Sequence, residues 1–256
     1  MKKLFLNTLF FTTVIIFASC GKDNPTPQDY GSINLVNAAT INVSAPSASL
    51  YLNDSLWSNG FVGYNTNSGF LGVITGVPTT VKVKLDNGVK TNTSAAVIAT
   101  EGPTTFNVND SYTFITFDTI SNGKVKILKL KDTLVPPSPG ITKVRFWQLS
   151  PTFNQTVDVT YLRINNSLPV DSVTITNRKF PTETAVAENK FYTNVNSGGY
   201  VIRIKVPGTQ TLITQVGNIT PTGVGSITLG SRKIISSYLT GNAAGRPLAY
   251  GQVTEF

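Results

Sequence analysis

Thirteen acidic residues, one cysteine and no histidine are what this chain of 256 residues offers to acid–base and nucleophilic chemistry. Without histidine there is no Ser-His-Asp or Cys-His arrangement, and no zinc or iron site that uses an imidazole. A single cysteine excludes an intrachain disulfide and a cysteine-cluster metal site. The main acids are Asp54, Asp86, Asp110, Asp118, Asp132, Asp158, Asp171, Glu183, Glu188 and Glu255, and most stand beside Asn, Gly or Ser. In that setting a carboxylate caps a turn. Glycoside hydrolysis needs two carboxyl groups facing each other about 5–10 Å apart, and calcium needs several oxygen ligands close together. No Asp-x-Asp-x-Asp run supplies them. The reading therefore assigns no catalytic residue, no metal and no cofactor.

Aromatic residues offer binding instead. Tyr51, Trp57, Phe61, Tyr64 and Phe70 crowd one segment, and Trp147, Phe153, Phe191, Tyr192 and Tyr200 occur in the second half. Exposed aromatic faces stack on sugar rings, although most aromatics of a β protein fill its core. Trp57 adjoins Ser58-Asn59-Gly60 and Tyr64 adjoins Asn65-Thr66-Asn67, turn sequences at which a side chain escapes the core. These two are the candidate ligand-binding residues. Lys124, Lys126, Lys129 and Lys131 form a basic ribbon, read as the charged guard of an edge strand.

The elements that must position these residues read as strands. In Val81-Lys82-Val83-Lys84-Leu85 the apolar residues share one face and the lysines the other, a half-buried strand. Asp86-Asn87-Gly88 then supplies a hairpin turn. Tyr112 to Phe117 is aromatic and β-branched, as a buried strand is. The alternation slips phase between Ile127 and Leu128, which predicts a β-bulge. Val157 to Tyr161 and Ile202 to Val206 alternate cleanly, and no sustained helical period follows the N-terminal segment. Val135-Pro136-Pro137-Ser138-Pro139-Gly140 fits neither a central strand nor a helix and reads as a linker, residues 135–140, between two domains that fold separately.

The first twenty residues read as an address. Lys2 and Lys3 precede a largely apolar run from Leu4 to Phe17, too short to span a bilayer at about 20 residues. The run ends in Phe17-Ala18-Ser19-Cys20-Gly21. This resembles a bacterial lipobox, with Phe17 and Ser19 departing from its usual residues in a manner tolerated by Bacteroidetes-type lipoproteins. Residues 1–19 are then a cleaved signal peptide and Cys20 the lipidated residue. Residues 20–29 are polar, carry Pro25 and Pro27, and read as a tether reaching ~25–30 Å at about 3.1 Å per residue. Lys22-Asp23 resembles the acidic export signals of surface lipoproteins. Removing Lys2 and Lys3 from 21 basic residues leaves 19 against 13 acids, a mature charge of +6. That surplus is spread along the chain without a basic helix, so nucleic acid is not an expected partner.

The two halves look like copies. Ser32-Ile33-Asn34-Leu35-Val36-Asn37 parallels Lys143-Val144-Arg145-Phe146-Trp147-Gln148; Gly76 to Val83 parallels Asn196 to Ile204; Phe117-Asp118 with Gly123-Lys124 parallels Leu239-Thr240 with Gly245-Arg246. The growing offset places an insertion between Asn165 and Asn196. A repeat of about 105–115 residues with some seven strands fits an immunoglobulin-like sandwich. The pattern resembles the domain of unknown function 4397 family. It does so through Ile141 to Phe146 running into Leu149-Ser150-Pro151, then Val157 to Tyr161, then Ser197-Gly198-Gly199-Tyr200-Val201-Ile202, and a closing hairpin from Ser237 to Leu248, with the second half matching better than the first. The resemblance implies secreted β-sandwich repeats, often on lipoproteins, with no established activity to carry over.

The expected fold is all-β: two tandem immunoglobulin-like β-sandwich domains, residues 30–134 and 141–256, after a lipoprotein signal peptide and tether. The expected function is a non-catalytic cell-envelope lipoprotein acting as a binding, adhesion or structural module, anchored in the outer membrane and facing the cell surface, or else the periplasm. Its partners are the membrane through the lipid anchor and a glycan or an envelope protein. The alternative is an accessory subunit or hydrolase acting on polysaccharide. Exposed aromatics without paired acids favour the first reading, and two acids converging in a cleft favour the second.

Overall fold

The computed structural model describes residues 29–40, 47–57, 61–86, 96–119, 125–151, 153, 155–181, 191–220, 223–243 and 245–255. Cys20 and its tether, the Asn87-Gly88 turn, Lys124, Glu183 and Glu188 lie outside the described residues.

Chain order in the first half is β1 (Tyr30–Asn37), β2 (Ser47–Leu52), β3 (Ser55–Leu56), β4 (Val62–Gly63), β5 (Thr66–Asn67), β6 (Leu71–Ile74), β7 (Pro78–Asp86), β8 (Val97–Thr105), β9 (Ser111–Phe117) and β10 (Lys126–Asp132). The second half continues with β11 (Ile141–Gln148), β12 (Val157–Asn165), β13 (Leu168–Arg178), β14 (Thr193–Asn196), β15 (Gly198–Lys205) and β16 (Leu212–Val216). It closes with β17 (Asn218–Thr220), β18 (Gly223–Gly225), β19 (Ile227–Leu229), β20 (Ile234–Thr240) and β21 (Ala249–Thr254). One sheet of the first half runs β10-β9-β1-β5, with β6 also on β1, and the other runs β3-β2-β7-β8, with β4 on β2. The second half repeats the plan as β14-β11-β20-β21 and β13-β12-β15-β16, with β19 on β15. In both, the first strand pairs in parallel with a late strand, β1 with β9 and β11 with β20, and that strand turns back into an antiparallel hairpin partner. The fold is all-β, two immunoglobulin-like sandwiches built on one repeat. The sequence correspondences fall on β1 and β11, on β7 and β15, and on the ends of β9 and β20. β13 has 11 residues where β3 has 2, so this is where the second copy is longer.

Alternation explains the two inner cores. Ile33, Leu35 and Phe114 of one sheet meet Ala48, Leu50, Val81 and Val83 of the other. Val144 and Phe146 meet Val159, Tyr161, Ile202 and Ile204 in the second half. The residues of alternate phase do not face water. Val36, Ile115, Phe117, Leu128 and Leu130 pack against Trp147, Leu149, Tyr238 and Val253 as a third core between the sandwiches. The four sheets are thus stacked, with the two inner sheets buried on both faces. This is why every residue of β20 is buried, as are Tyr112 to Phe117 of β9.

Two sequence expectations change as a result. β10 pairs with β9 in unbroken register, without the bulge. Ile127 packs on the first inner core and Leu128 with Leu130 on the third core, so the phase slip records a strand with two apolar faces. The 135–140 stretch is an ordered connector. Pro137 is buried, the Gly140 N–H donates to Ser231 Oγ (2.8 Å), and Lys143 Nζ donates to the Val135 carbonyl (3.0 Å). An isolated half would uncover the apolar residues of the third core, which argues against the separate folding read from the prolines.

Candidate functional site: an apolar cleft and a sealed acid pair

The first sandwich opens at the end where the chain enters β1. A cleft of about 480 Å³ lies between the edge strand β6 and the β2–β3 hairpin. Its apolar lining is Tyr30, Leu52, Leu56, Trp57, Ile74 and Val77, with Val73 behind. The hairpin turn places Trp57. Asn53 and Asp54 both have positive φ (46° and 68°), the geometry that suits the twist of a tight hairpin and that Asn and Asp tolerate. The Asn53 N–H donates to the Thr80 carbonyl (3.0 Å), and the Thr80 N–H donates to Asn53 Oδ1 (2.9 Å), which pins the turn to β7. Trp57 is half-buried, packs against the inner core and donates its indole N–H to the Gly72 carbonyl on β6 (3.1 Å). It therefore braces the open edge while showing a face to the cleft. Tyr30, Ile74 and Val77 stand about half exposed, at 52%, 50% and 51%. No Asp, Glu, Lys or Arg is among the described residues lining this cleft.

Tyr64 lies elsewhere. The β4–β5 turn, with Asn65 at φ 60°, carries it toward the second sandwich. The Arg246 guanidinium sits 4.6 Å from the centre of its ring, and Asn65 Nδ2 donates to the Tyr250 carbonyl (3.1 Å). Burial pushes the Tyr64 phenol pKa up. The turn sequence does form a turn, but the neighbouring sandwich covers it. The structure does not bring Trp57 and Tyr64 together.

Two carboxylates do converge, where sequence reading found no pair. Arg145 Nη2 donates to Asp132 Oδ1 (2.7 Å) and to Glu255 Oε1 (2.6 Å). Arg145 Nε donates to Ser236 Oγ, Ser236 Oγ and the Tyr192 hydroxyl donate to Glu255, and Thr113 Oγ1 donates to Asp132 Oδ2 (2.7 Å). The guanidinium also lies 4.7 Å from the centre of the Tyr192 ring. Asp132 and Thr113 belong to the first half and the rest to the second, so the network clasps the two sandwiches. The side chains are sealed, at 1% exposure for Arg145 and 0% for both acids. No substrate reaches them, and the arrangement is structural. Desolvation raises the Asp132 carboxyl to about 6, with Arg145 opposing and Glu255 adding to the shift.

Several other acids among the described residues are engaged locally. Asp54 pairs with Lys82 (2.8 Å), Asp110 with Lys131 (2.7 Å) and Asp171 with Arg163 (3.0 Å). Hydrogen bonds from the lysines hold Asp54 and Asp110 below the usual carboxylate range. Asp158 accepts the Asn177 and Gly208 N–H groups, each at 2.9 Å, as a turn cap. The described lysines of the ribbon lie on an edge strand. Lys126, Lys129 and Lys131 of β10 face Asp118, Glu101 and Asp110. Among the described residues no group of three His, Cys, Asp or Glu could hold a metal ion. Sequence reading passed over Ser121-Asn122-Gly123-Lys124, a Ser-x-x-Lys spacing, which lies outside the described residues.

The clasp was missed because its acids stand 13 and 110 positions from Arg145. A signal was present. The second faces of β1, β9 and β20 carry Asn34, Thr113 and Ser236, all buried, whereas a solvated strand face carries lysine, as Lys129 and Lys131 of β10 show.

A family model described as Domain of unknown function (DUF4397) matches residues 25–160. The match covers the first sandwich and stops in β12, whereas the motif reading leaned on the second half. No curated protein matches the chain. Among solved structures, the tip fimbrial protein Mfa3 from Porphyromonas gingivalis is 12% identical, with 89% of this chain and 100% of that one covered at a TM-score of 0.28. A proposed cell adhesion protein from Bacteroides uniformis is 10% identical over 90% of this chain and 98% of that one, at a TM-score of 0.22. A leucine-rich repeat protein from Bacteroides thetaiotaomicron is 14% identical over 82% of this chain and 26% of that one, at 0.21. At these TM-scores the likenesses carry no argument about function.

Proposed function

The chain belongs to the DUF4397 family, and from that premise we propose that it is a non-catalytic cell-envelope lipoprotein, a rigid two-sandwich module that binds its ligand in the Trp57 cleft. The observation that carries this reading is the lining of the cleft, which has an aromatic face and aliphatic walls and, among the described residues, no carboxylate, lysine or arginine. Hydrolysis needs a positioned acid, base or metal, and the acid pair that converges among the described residues is sealed between the sandwiches. Anchoring through Cys20 belongs to the same proposal and is supported by the lipobox-like sequence.

The test is retention of purified protein, made without an acyl group, on cell-envelope fragments. Trp57→Ala is expected to weaken retention about tenfold, the equivalent of ~1.4 kcal/mol. Because Trp57 is only half-buried, the same change should cost about 1–2 kcal/mol of stability, against ~3–5 for a core aromatic. Unchanged retention would remove the cleft from the account, and steady turnover of a glycan or ester would overturn the non-catalytic reading.

A further inference from the structure

The cleft does not end at its rim. Tyr30 and Ile74 are cross-strand partners in β1 and β6. The Gly76 N–H donates to the Phe106 carbonyl (3.0 Å), and the Asn109 N–H donates to the Tyr30 carbonyl (3.1 Å), which brings the β6–β7 and β8–β9 turns together. The half-exposed Val77 and the 44%-exposed Val108 sit on these two turns. One end of the first sandwich therefore displays Tyr30, Trp57, Ile74 and Val77 around the cleft, with Val108 on the adjoining turn, as an apolar cap. Soluble proteins rarely display such a patch without a protein or membrane partner.

Three observations identify the partner. First, several polar groups around the cap are already engaged. The Trp57 N–H is bonded to Gly72, Thr79 Oγ1 donates to the Val77 carbonyl (3.1 Å), and Asn53 Oδ1 accepts from Thr80. A sugar would find aromatic surface but few free partners for its hydroxyls. Second, the flanking charges neutralise each other as Asp54–Lys82 and Asp110–Lys131, so the cap carries no field that selects a charged ligand. Third, the chain leaves the sandwich here. Thr75 Oγ1 donates to the Asp29 carbonyl (2.9 Å), and Cys20 stands nine residues upstream. Nine residues reach at most about 28 Å at 3.1 Å each, so a lipid on Cys20 would hold this end near the bilayer.

Resting on the anchored-module reading above, we propose that this cap docks into the phospholipid bilayer that carries the anchor, with Trp57 and Tyr30 at the headgroup level and Ile74, Val77 and Val108 dipping into the acyl boundary. Tryptophan and tyrosine favour that interface because an apolar ring carries a polar edge, and exposed aliphatic side chains add area in proportion to their burial. Docking would fix the orientation of the stacked sandwiches on the membrane.

The test uses the mature chain with Cys20→Ser, which carries no acyl group, and vesicles of neutral phosphatidylcholine and phosphatidylethanolamine. The protein should sediment with these vesicles, and 0.5 M salt should leave the partition unchanged, because the cap is charge-neutral. Ile74→Glu with Val77→Glu should lower the partition at least tenfold. Both positions are half exposed, so the thermal transition should stay in place, and a double variant that unfolds is replaced by Val108→Glu alone. Partition equal to a vesicle-free control would overturn the proposal, as would partition that requires anionic lipid and vanishes in salt. So would Trp57-dependent capture of a soluble polysaccharide that the double variant leaves intact. The anchor is tested separately by palmitate labelling of wild type: its failure removes the tether, whereas failure of the acyl-free protein to sediment removes only the docked cap.

Discussion

Arg145→Leu should lower the stability of the folded protein by about 3–5 kcal/mol at pH 7.5, because it leaves Asp132 and Glu255 buried without their shared cation. Denaturant unfolding measures this. The loss should shrink at pH 5, where protonation removes the uncompensated charge. Replacing the whole set, Arg145→Leu with Asp132→Asn and Glu255→Gln, should recover much of the loss, since a buried ionic group removed entirely costs far less than one broken. The wild type should itself be pH-dependent in a stated direction. Its Asp132 pKa is raised to about 6 in the fold, above the ordinary value near 3.9. The folded state therefore holds a proton that the unfolded state releases. That contribution is complete below pH ~4 and is lost as pH rises through 6. Unfolding free energy should be higher at pH 5 than at pH 7.5 by about 1–2 kcal/mol, and Asp132→Asn should flatten the difference. Asp54 and Asp110 act in the opposite direction, below the usual carboxylate range, and do not disturb this window. A loss under 1 kcal/mol in Arg145→Leu would show that the clasp does not hold the halves.

Trp147→Ala is the second large effect, expected at about 3–5 kcal/mol. Trp147 is wholly buried in the core between the sandwiches, among Val36, Ile115 and Leu128 from one half and Tyr238 and Val253 from the other. Since each half buries its second face only against the other, unfolding should be a single transition in both wild type and variant, read by calorimetry or by circular dichroism against denaturant. Two transitions, with the variant shifting only one, would mean that the sandwiches are separate bodies and that the third core contributes little.

The strands were legible because their period is local. Val81 and Val83 against Lys82 and Lys84, or the buried run from Tyr112, mark a strand with nothing but neighbours in view. The repeat was legible because related residues take the same places in β1 and β11. The stacking of the halves was not, because a polar outer face buried against a second sandwich has the same period as one facing water. Only its content differs, with Asn, Ser and Thr where lysine would stand. The phase slip at Ile127–Leu128 was such a signal read locally, as a bulge, when its cause was a second apolar contact. At the candidate site, the Ser58-Asn59-Gly60 neighbourhood identified Trp57 as a residue near the surface. Its partners in the cleft, Tyr30 from one segment and Ile74 with Val77 from another, are joined to it by no spacing. Tyr64 had an equal signal and a different outcome, because the covering Arg246 stands 182 positions away.

Whether this module binds through the Trp57 cleft can be measured with a reporter that the chain itself supplies. It contains two tryptophans, of which Trp147 is wholly buried and Trp57 is half-buried at the cleft. Acrylamide quenching should therefore detect one accessible tryptophan in the free, acyl-free protein. When the protein is bound to cell-envelope fragments, that component should lose its access to acrylamide and shift to the blue, and Trp57→Phe should abolish both changes. If the bound protein keeps a tryptophan as quenchable as in the free state, the ligand sits elsewhere on the molecule and the cleft is not its site.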